Sequence, residues 1–190
     1  SCGGCEEAVV GLAEKILDVV QALDIVFWPV ALDFKRADVE SMPDGSLLAS
    51  FINGAVRTSE QEEMVLLLRR KSQLLIAFGA CAQIGGVPGL ANLWDRESIF
   101  HRIYLESPTT VNPEGVLPQV RIQEDGRELS LPVFYDTVRP LDQVVEVDYY
   151  IPGCAPTPKV ILHAVQALLG GELPPRGSAL APDRALCEEC

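Results

Sequence analysis

Leu74-Leu75-Ile76-Ala77-Phe78-Gly79-Ala80-Cys81-Ala82-Gln83-Ile84-Gly85-Gly86-Val87-Pro88-Gly89 joins five apolar residues without a polar break to a glycine-rich loop that carries a cysteine. A continuous apolar run of this length suits a strand buried on both faces of a parallel sheet. Gly79 ends the strand, and Cys81 sits behind it between Gly79-Ala80 and Gly85-Gly86.

Upstream, Ser59-x-x-Glu62 has capping-box spacing and opens a helix to about Lys71. Acids fill its first turn and Arg69, Arg70 and Lys71 its last, which complements the helix dipole. A short apolar run from Ser46 to Ile52 leads into Asn53-Gly54, a strand end. Asp24 to Leu32 is rich in β-formers and is expected to be a strand despite Pro29. From Glu6 to about Leu23, Val9, Leu12, Ala13, Ile16 and Val20 recur at helical spacing. Glu14, Lys15, Asp18 and Gln21 fall opposite them, so an amphipathic helix is expected there.

Downstream, residues 98–119 look irregular and proline-bearing. Val120 to Ile122 and Glu128 to Leu131 flank Asp125-Gly126, a hairpin signal. Val144 to Ile151 alternates like a strand and delivers Pro152-Gly153-Cys154-Ala155-Pro156-Thr157-Pro158. A helix to about Leu169 follows and Gly170-Gly171 ends it. The remainder is extended and closes on Cys187-x-x-Cys190.

Strand, glycine loop and helix in repetition predict an α/β fold, a doubly wound parallel sheet with a β-hairpin insertion and an extended C-terminal tail. The expected division is one sheet domain over 1–171 and a tail over 172–190. Ligands of such sheets sit outside the carboxyl ends of the strands. Cys81 and Cys154 both follow strands at that edge. Cys2 and Cys5 precede a helix in the same manner, and a strand ahead of them is expected outside the chain. Four thiols from three loops can therefore converge on one pole.

Composition narrows the function classes. With 190 residues the chain is a natural size for one domain. Fifteen basic against 27 acidic residues give a net charge of −12, which weighs against a nucleic-acid partner. No apolar run approaches the ~18 residues of a membrane span. The chain opens without methionine and ends on Cys190, so it is expected to be part of a longer protein.

Four thiolates with no histidine or carboxylate among them suit Zn²⁺ or an iron–sulfur cluster. Structural zinc usually uses two local cysteine pairs, whereas here one pair joins two distant singles on glycine loops. A cuboidal cluster needs the wider cradle, and its negative charge needs backbone donors near the sulfurs. None of the cysteine loops carries Lys or Arg before Lys159, so donors would have to balance that charge. Other readings stay open on the bare residues. Cys2 and Cys5 alone make a thioredoxin-like dithiol, Cys81 alone could be an inert core residue, and six cysteines could form disulfides. A zinc-stabilised interaction module without redox chemistry is the reading from another class. His101 and His163 have no visible partners, and Gly85-Gly86-x-x-Gly89 lacks the features of a phosphate or dinucleotide loop.

Cys2-Gly3-Gly4-Cys5, Gly79-Ala80-Cys81 with Gly85-Gly86, and Pro152-Gly153-Cys154-x-Pro156 together resemble the small subunit of nickel–iron (NiFe) hydrogenases. They also resemble the related 20-kDa cluster subunit of respiratory complex I. The look is nearest to the cytoplasmic F420-non-reducing branch, the methyl-viologen-reducing, heterodisulfide-reductase-associated type. Gly85 to Leu93, Leu141-Asp142-Gln143-Val144-Val145 and Ala185 to Cys190 carry that likeness, which runs over nearly the whole chain.

The resemblance implies a flavodoxin-like domain that binds a proximal 4Fe-4S cluster on Cys2, Cys5, Cys81 and Cys154. It implies an oxidoreductase subunit without a complete active site of its own. Electrons would pass between the Ni–Fe site of a large subunit and further iron–sulfur or flavin-containing subunits. Glu7 stands where related hydrogenases have an acid implicated in proton transfer; a first-turn helix charge explains it equally. Cys187 and Cys190 match the start of a second cluster motif. Ala155 replaces a proline common after the third-loop cysteine, and Asn53 stands where the family often has an acid. Cys-Gly-Gly-Cys in place of adjacent cysteines favours the hydrogenase branch over a quinone-reducing complex I type. The apolar stretch Ile84 to Trp94 is a candidate surface for the large subunit.

Overall fold

The computed structural model describes residues 2–183, and the Cys187–Cys190 motif lies outside the described residues. Its strands are β1 (Leu47–Asn53), β2 (Val56–Thr58), β3 (Ser72–Phe78), β4 (Arg121–Glu124), β5 (Arg127–Ser130), β6 (Phe134–Arg139) and β7 (Tyr149–Ile151). Its helices are α1 (Gly4–Val10), α2 (Ile16–Ala22), α3 (Arg36–Ser41), α4 (Ser59–Lys71), α5 (Ala80–Ile84), α6 (Gly86–Gly89), α7 (Arg96–His101) and α8 (Pro158–Gly170). The class is mixed α/β.

A parallel sheet in the order β1-β3-β7 organises the chain. The central strand, β3, is apolar throughout its second half because it is covered on both faces. Leu75 and Ala77 pack with Val65 of α4, Ala82 of α5 and Leu141. Ile76 and Phe78 pack on the other face with Ile151 and with Val160, Ile161 and Ala164 of α8. Leu75, Ile76 and Ala77 are wholly shielded from solvent. Each large side chain removed from water in this way contributes about 1.5–3 kcal/mol before entropy is counted.

The other sheets are small. β2 pairs antiparallel with β6, and β4 with β5 about the Asp125-Gly126 turn. The β2–β6 pair has no counterpart among the sequence expectations, because Phe134–Arg139 alternates poorly and its pairing is remote. The segment after α8 runs beside β7: Leu180 N–H donates to Tyr150 O at 2.7 Å, and the Leu180 side chain enters the core.

Local expectations shift in five places. The expected helix over 6–23 is two helices, because the chain breaks at Gly11 and Ala13 takes a positive φ of 52°. Asp24 to Leu32 forms no strand: Pro29 brings no N–H to a ladder, and Leu32 N–H closes a turn on Trp28 O at 2.8 Å. The cap of α4 is Thr58, not Ser59; its hydroxyl accepts Gln61 N–H, and Gln61 Oε1 accepts Thr58 N–H. Residues 98–119 include most of α7, capped by Asp95 accepting Ser98 N–H at 2.7 Å, and a π-helical turn over Arg102–Glu106. Of Val144 to Ile151 only Tyr149–Ile151 pairs, since Val144, Val145 and Val147 pack inward from a loop.

Candidate metal centre

Three loops meet at the carboxyl end of the parallel sheet. The loop behind β3 is stitched to the loop behind β7 by Gly79 N–H to Ile151 O and Ala80 N–H to Gly153 O, both 2.8 Å. The first loop lies against both. Cys5 Sγ is 3.8 Å from Phe78 O, and Gly4 faces Ala155 closely enough that a Cβ there would lie 3.9 Å from the Ala155 methyl. Cys2, Cys5, Cys81 and Cys154 thus reach one pole of the sheet, all as free thiols. Cys5 and Cys81 are half-buried in the first turns of α1 and α5; Cys2 and Cys154 are exposed.

Glycine makes the room for sulfur. A Cβ on Gly79 would lie 2.5 Å from Cys5 Sγ, and one on Gly86 would lie 2.9 Å from Cys81 Sγ. Both glycines also hold positive φ, 86° and 52°, which side chains disfavour. Backbone and sulfur therefore approach closely, the arrangement a thiolate-ligated anion needs.

Electrostatics tie the four thiols together. Burial pushes the Cys5 thiol up to about 11, and the negative charge of Cys81, Glu6, Cys2 and Cys154 adds to the shift. Yet among the described residues no three His, Cys, Asp or Glu side chains are grouped to hold one metal ion.

Buried polar atoms without hydrogen-bond partners gather near the same loops. They are Glu6 Oε2, Asn53 Nδ2 at the end of β1, and Thr157 Oγ1, three residues after Cys154. Such atoms normally find a partner, so a polar group seated among these loops fits the chain. The fourth such atom, Asp148 Oδ1, has Arg176 Nη1 at 2.6 Å, a close charge contact without hydrogen-bond alignment.

Glu7 is exposed, while its neighbour Glu6 turns a buried oxygen inward. In the bare sequence Glu6 is a first-turn helix charge, Asn53 a strand end and Thr157 one residue of a proline-rich loop, none of them marked as part of a site. The available signals both concern Asn53: alternation along β1 puts it on the same side as Phe51, and it stands where the resembled family often has an acid. The stretch behind Cys81 leaves Ile84, Val87, Leu90, Leu93 and Trp94 exposed. Asn92 anchors it: its side chain exchanges two hydrogen bonds with the Val138 backbone, at 2.9 and 2.7 Å.

The fold is a parallel α/β sheet with cysteines on three loops at its carboxyl edge, and its family follows from similarity to known proteins. Residues 2–168 match the family described as NADH ubiquinone oxidoreductase, 20 Kd subunit, and the chain belongs to that family. Over 190 residues it is 45% identical to the iron-sulfur subunit of the F420-non-reducing hydrogenase of Archaeoglobus profundus, covering 100% of this chain and 59% of that protein. It is 36% identical to a subunit of the F420-non-reducing hydrogenase of Methanothermobacter thermautotrophicus, covering 100% and 55% respectively. The chain thus spans a little over half the length of these relatives. A crystal structure of an NAD+-reducing NiFe-hydrogenase in the H2-reduced state contains a similar chain, with TM-score 0.75 and 27% identity over 90% of this chain and 86% of that one. The resemblance carried by the cysteine loops is borne out.

Proposed function

We propose that Cys2, Cys5, Cys81 and Cys154 hold a 4Fe-4S cluster and that this chain is the electron-transfer part of a NiFe-hydrogenase complex. The observation that carries the reading is the meeting of three cysteine loops where Gly79 and Gly86 make room for sulfur. A 4Fe-4S cluster held there would supply one-electron storage and transfer. The protein's own part is to fix four thiolates, offer backbone N–H groups to them, and limit water on the Cys5 and Cys81 side. One local cysteine pair joined by two distant single cysteines, rather than two local pairs, supports a cluster over zinc.

The finer features follow the same reading. The sheet is a flavodoxin-like, doubly wound one over 1–171, supported by helices on both of its faces. Residues 172–190 lead to a second cluster motif at Cys187 and Cys190. A large subunit bearing the Ni–Fe site covers Cys2 and Cys154 and the apolar stretch from Ile84 to Trp94, both now facing solvent. Glu7, at the surface beside the thiols, passes protons across that interface. Iron–sulfur or flavin-containing subunits take the electrons onward. The complex is cytoplasmic, as the likeness to the F420-non-reducing branch implies. Among the described residues no helix is long and apolar enough to cross a membrane.

The family match favours a second reading, a quinone-reducing subunit of complex I type. One preparation separates the readings. Protein purified without oxygen should be brown, contain about four irons per chain if only this cluster is present, and bring down a nickel-bearing subunit. Iron without nickel would favour the quinone reductase, and zinc without iron would defeat both.

A further inference from the structure

Asn53 is the last residue of β1 and pairs in register with Phe78, directly before Gly79 and the Cys81 loop. Side chains alternate along a strand. Ile52 packs on the α4 side of the sheet. Ala49 packs with the core that contains Ile76 and Phe78, and the Phe51 ring meets the Phe78 ring edge-on at 6.2 Å. Asn53 therefore projects from the same face as Phe51, where α1 lays Cys5, Ala8 and Val9 against the sheet.

On that face the carboxamide Nδ2 is buried and has no acceptor among the described residues. Nearby Glu6 Oε2 is buried and also unpaired, so the two do not satisfy each other. A buried amide donor left without an acceptor is strongly disfavoured. The sulfurs of Cys2, Cys5, Cys81 and Cys154 are among those described atoms and none of them accepts it, so the acceptor has to come with the group that the four thiols hold.

We infer that the Asn53 carboxamide is a hydrogen-bond donor to the group that the four thiols hold, on a sulfur which that group itself brings, and that it sets the group's potential. The inference rests on the cluster reading proposed above. A donor to sulfur stabilises the reduced, more negative state over the oxidised one and so raises the reduction potential. Asn53 is a positioning residue in this sense: it neither ligates nor reacts.

The test uses the complete protein with its partner subunits, as wild type, Asn53→Leu and Asn53→Asp. Iron per chain and the midpoint potential are measured, the latter by redox titration followed by electron paramagnetic resonance. Both variants should keep their iron and titrate at a more negative potential, Asn53→Asp the more so because it adds a charge. A second measurement needs no variant. With asparagine nitrogen isotopically labelled in the wild type, pulsed resonance should detect the label coupled to the reduced cluster. Iron-bearing variants with unchanged potentials overturn the inference while leaving the cluster reading intact. If the variants lose iron, absence of the labelled coupling in the wild type overturns it and its presence supports it. An iron-free wild type defeats the cluster reading and this inference with it.

Discussion

Gly79 and Cys5 are in such close contact that a single added methyl group on Gly79 would fall 2.5 Å from the Cys5 sulfur. The same methyl would lie 3.4 Å from Gly153 O, so the backbone of the third loop leaves it little room to escape. Gly79→Ala should therefore displace Cys5 and leave well under half of the wild-type iron. Gly126→Ala is the control: it carries a similar positive φ, 76°, with nothing within 4 Å of the new Cβ. Gly79, with ψ 165°, lies in a region essentially reserved for glycine and bears the greater backbone strain. Iron is therefore compared at temperatures where melting curves show both variants folded; there only Gly79→Ala should empty the site. Equal iron loss in the two variants would refute a steric role at the sulfur.

The Cys5 thiol titrates late, at about 11 against an ordinary 9.0, first because it is buried and then because Cys81, Glu6, Cys2 and Cys154 surround it with negative charge. A raised value in the folded state means that the folded chain holds its proton longer than the unfolded chain does. The associated stability is complete below pH 9.0 and is lost as pH climbs through about 11. In metal-free protein, alkylation at pH 9 should label the exposed Cys2 and Cys154 first and Cys5 last. Peptide mapping of a time course checks the order, and early labelling of Cys5 would contradict it.

Asp148 is a fully buried carboxylate held from three sides. Arg69 Nη1 lies 2.7 Å away, Leu75 N–H donates to it at 2.8 Å, and Arg176 Nη1 approaches to 2.6 Å. Burial pushes its pKa up, but the Arg69 and Leu75 hydrogen bonds, with the charges of Arg69 and Arg176, outweigh burial and hold it below 3.8. Its stabilising effect is thus present above about pH 3.8 and lost as pH falls through the lowered folded value. Asp148→Ala should cost about 3–5 kcal/mol at neutral pH, because Arg69 and the Leu75 amide lose their buried partner. Urea titrations across the acid range should also show a weaker pH dependence in that variant.

Leu93 and Trp94 keep 72% and 59% of their surface exposed, so neither supports the fold by burial. Under the proposed assembly they are anchors for the large subunit. Trp94→Ala should change the unfolding free energy of the isolated chain by no more than an ordinary surface substitution does, about 0.5 kcal/mol, and so barely move its melting temperature. Co-purification of the nickel-bearing subunit should weaken by about 2 kcal/mol or more, as for an aromatic anchor. A drop in melting temperature with unchanged co-purification would reverse the assignment.

Legibility varied with the range of the interactions involved. β3 was plain because a strand covered on both faces has to be apolar along its length. α8 was plain because Val160, Ile161, Ala164, Val165 and Leu168 mark a single buried face. Asp24 to Leu32 misled because β-forming composition reports on side chains, whereas pairing needs an N–H that Pro29 lacks. The alternation before β7 misled in the opposite way, since Val145 and Val147 are half-buried from a loop rather than from a ladder. At the site, cysteine types and glycine spacing were readable. The orphaned polar atoms of Asn53 and Thr157 were not, for nothing local to either residue reveals that its partner is absent.

The amino-acid sequence alone determined the α/β class, the strand and loop that present Cys81, and the pairing of each cysteine with nearby glycine. These are consequences of short-range chemistry: apolar periodicity, capping, and the positive φ that glycine tolerates. Only the tertiary structure decided that Gly79 makes room for Cys5, 74 positions earlier in the chain, and that Gly86 makes room for Cys81. It alone turned Glu6 inward and Glu7 outward, and set Asn53 on the Cys5 face of the sheet. The reason is physical. Contacts between strand ends depend on sheet order and register, which arise when the whole core packs and are written in no single loop.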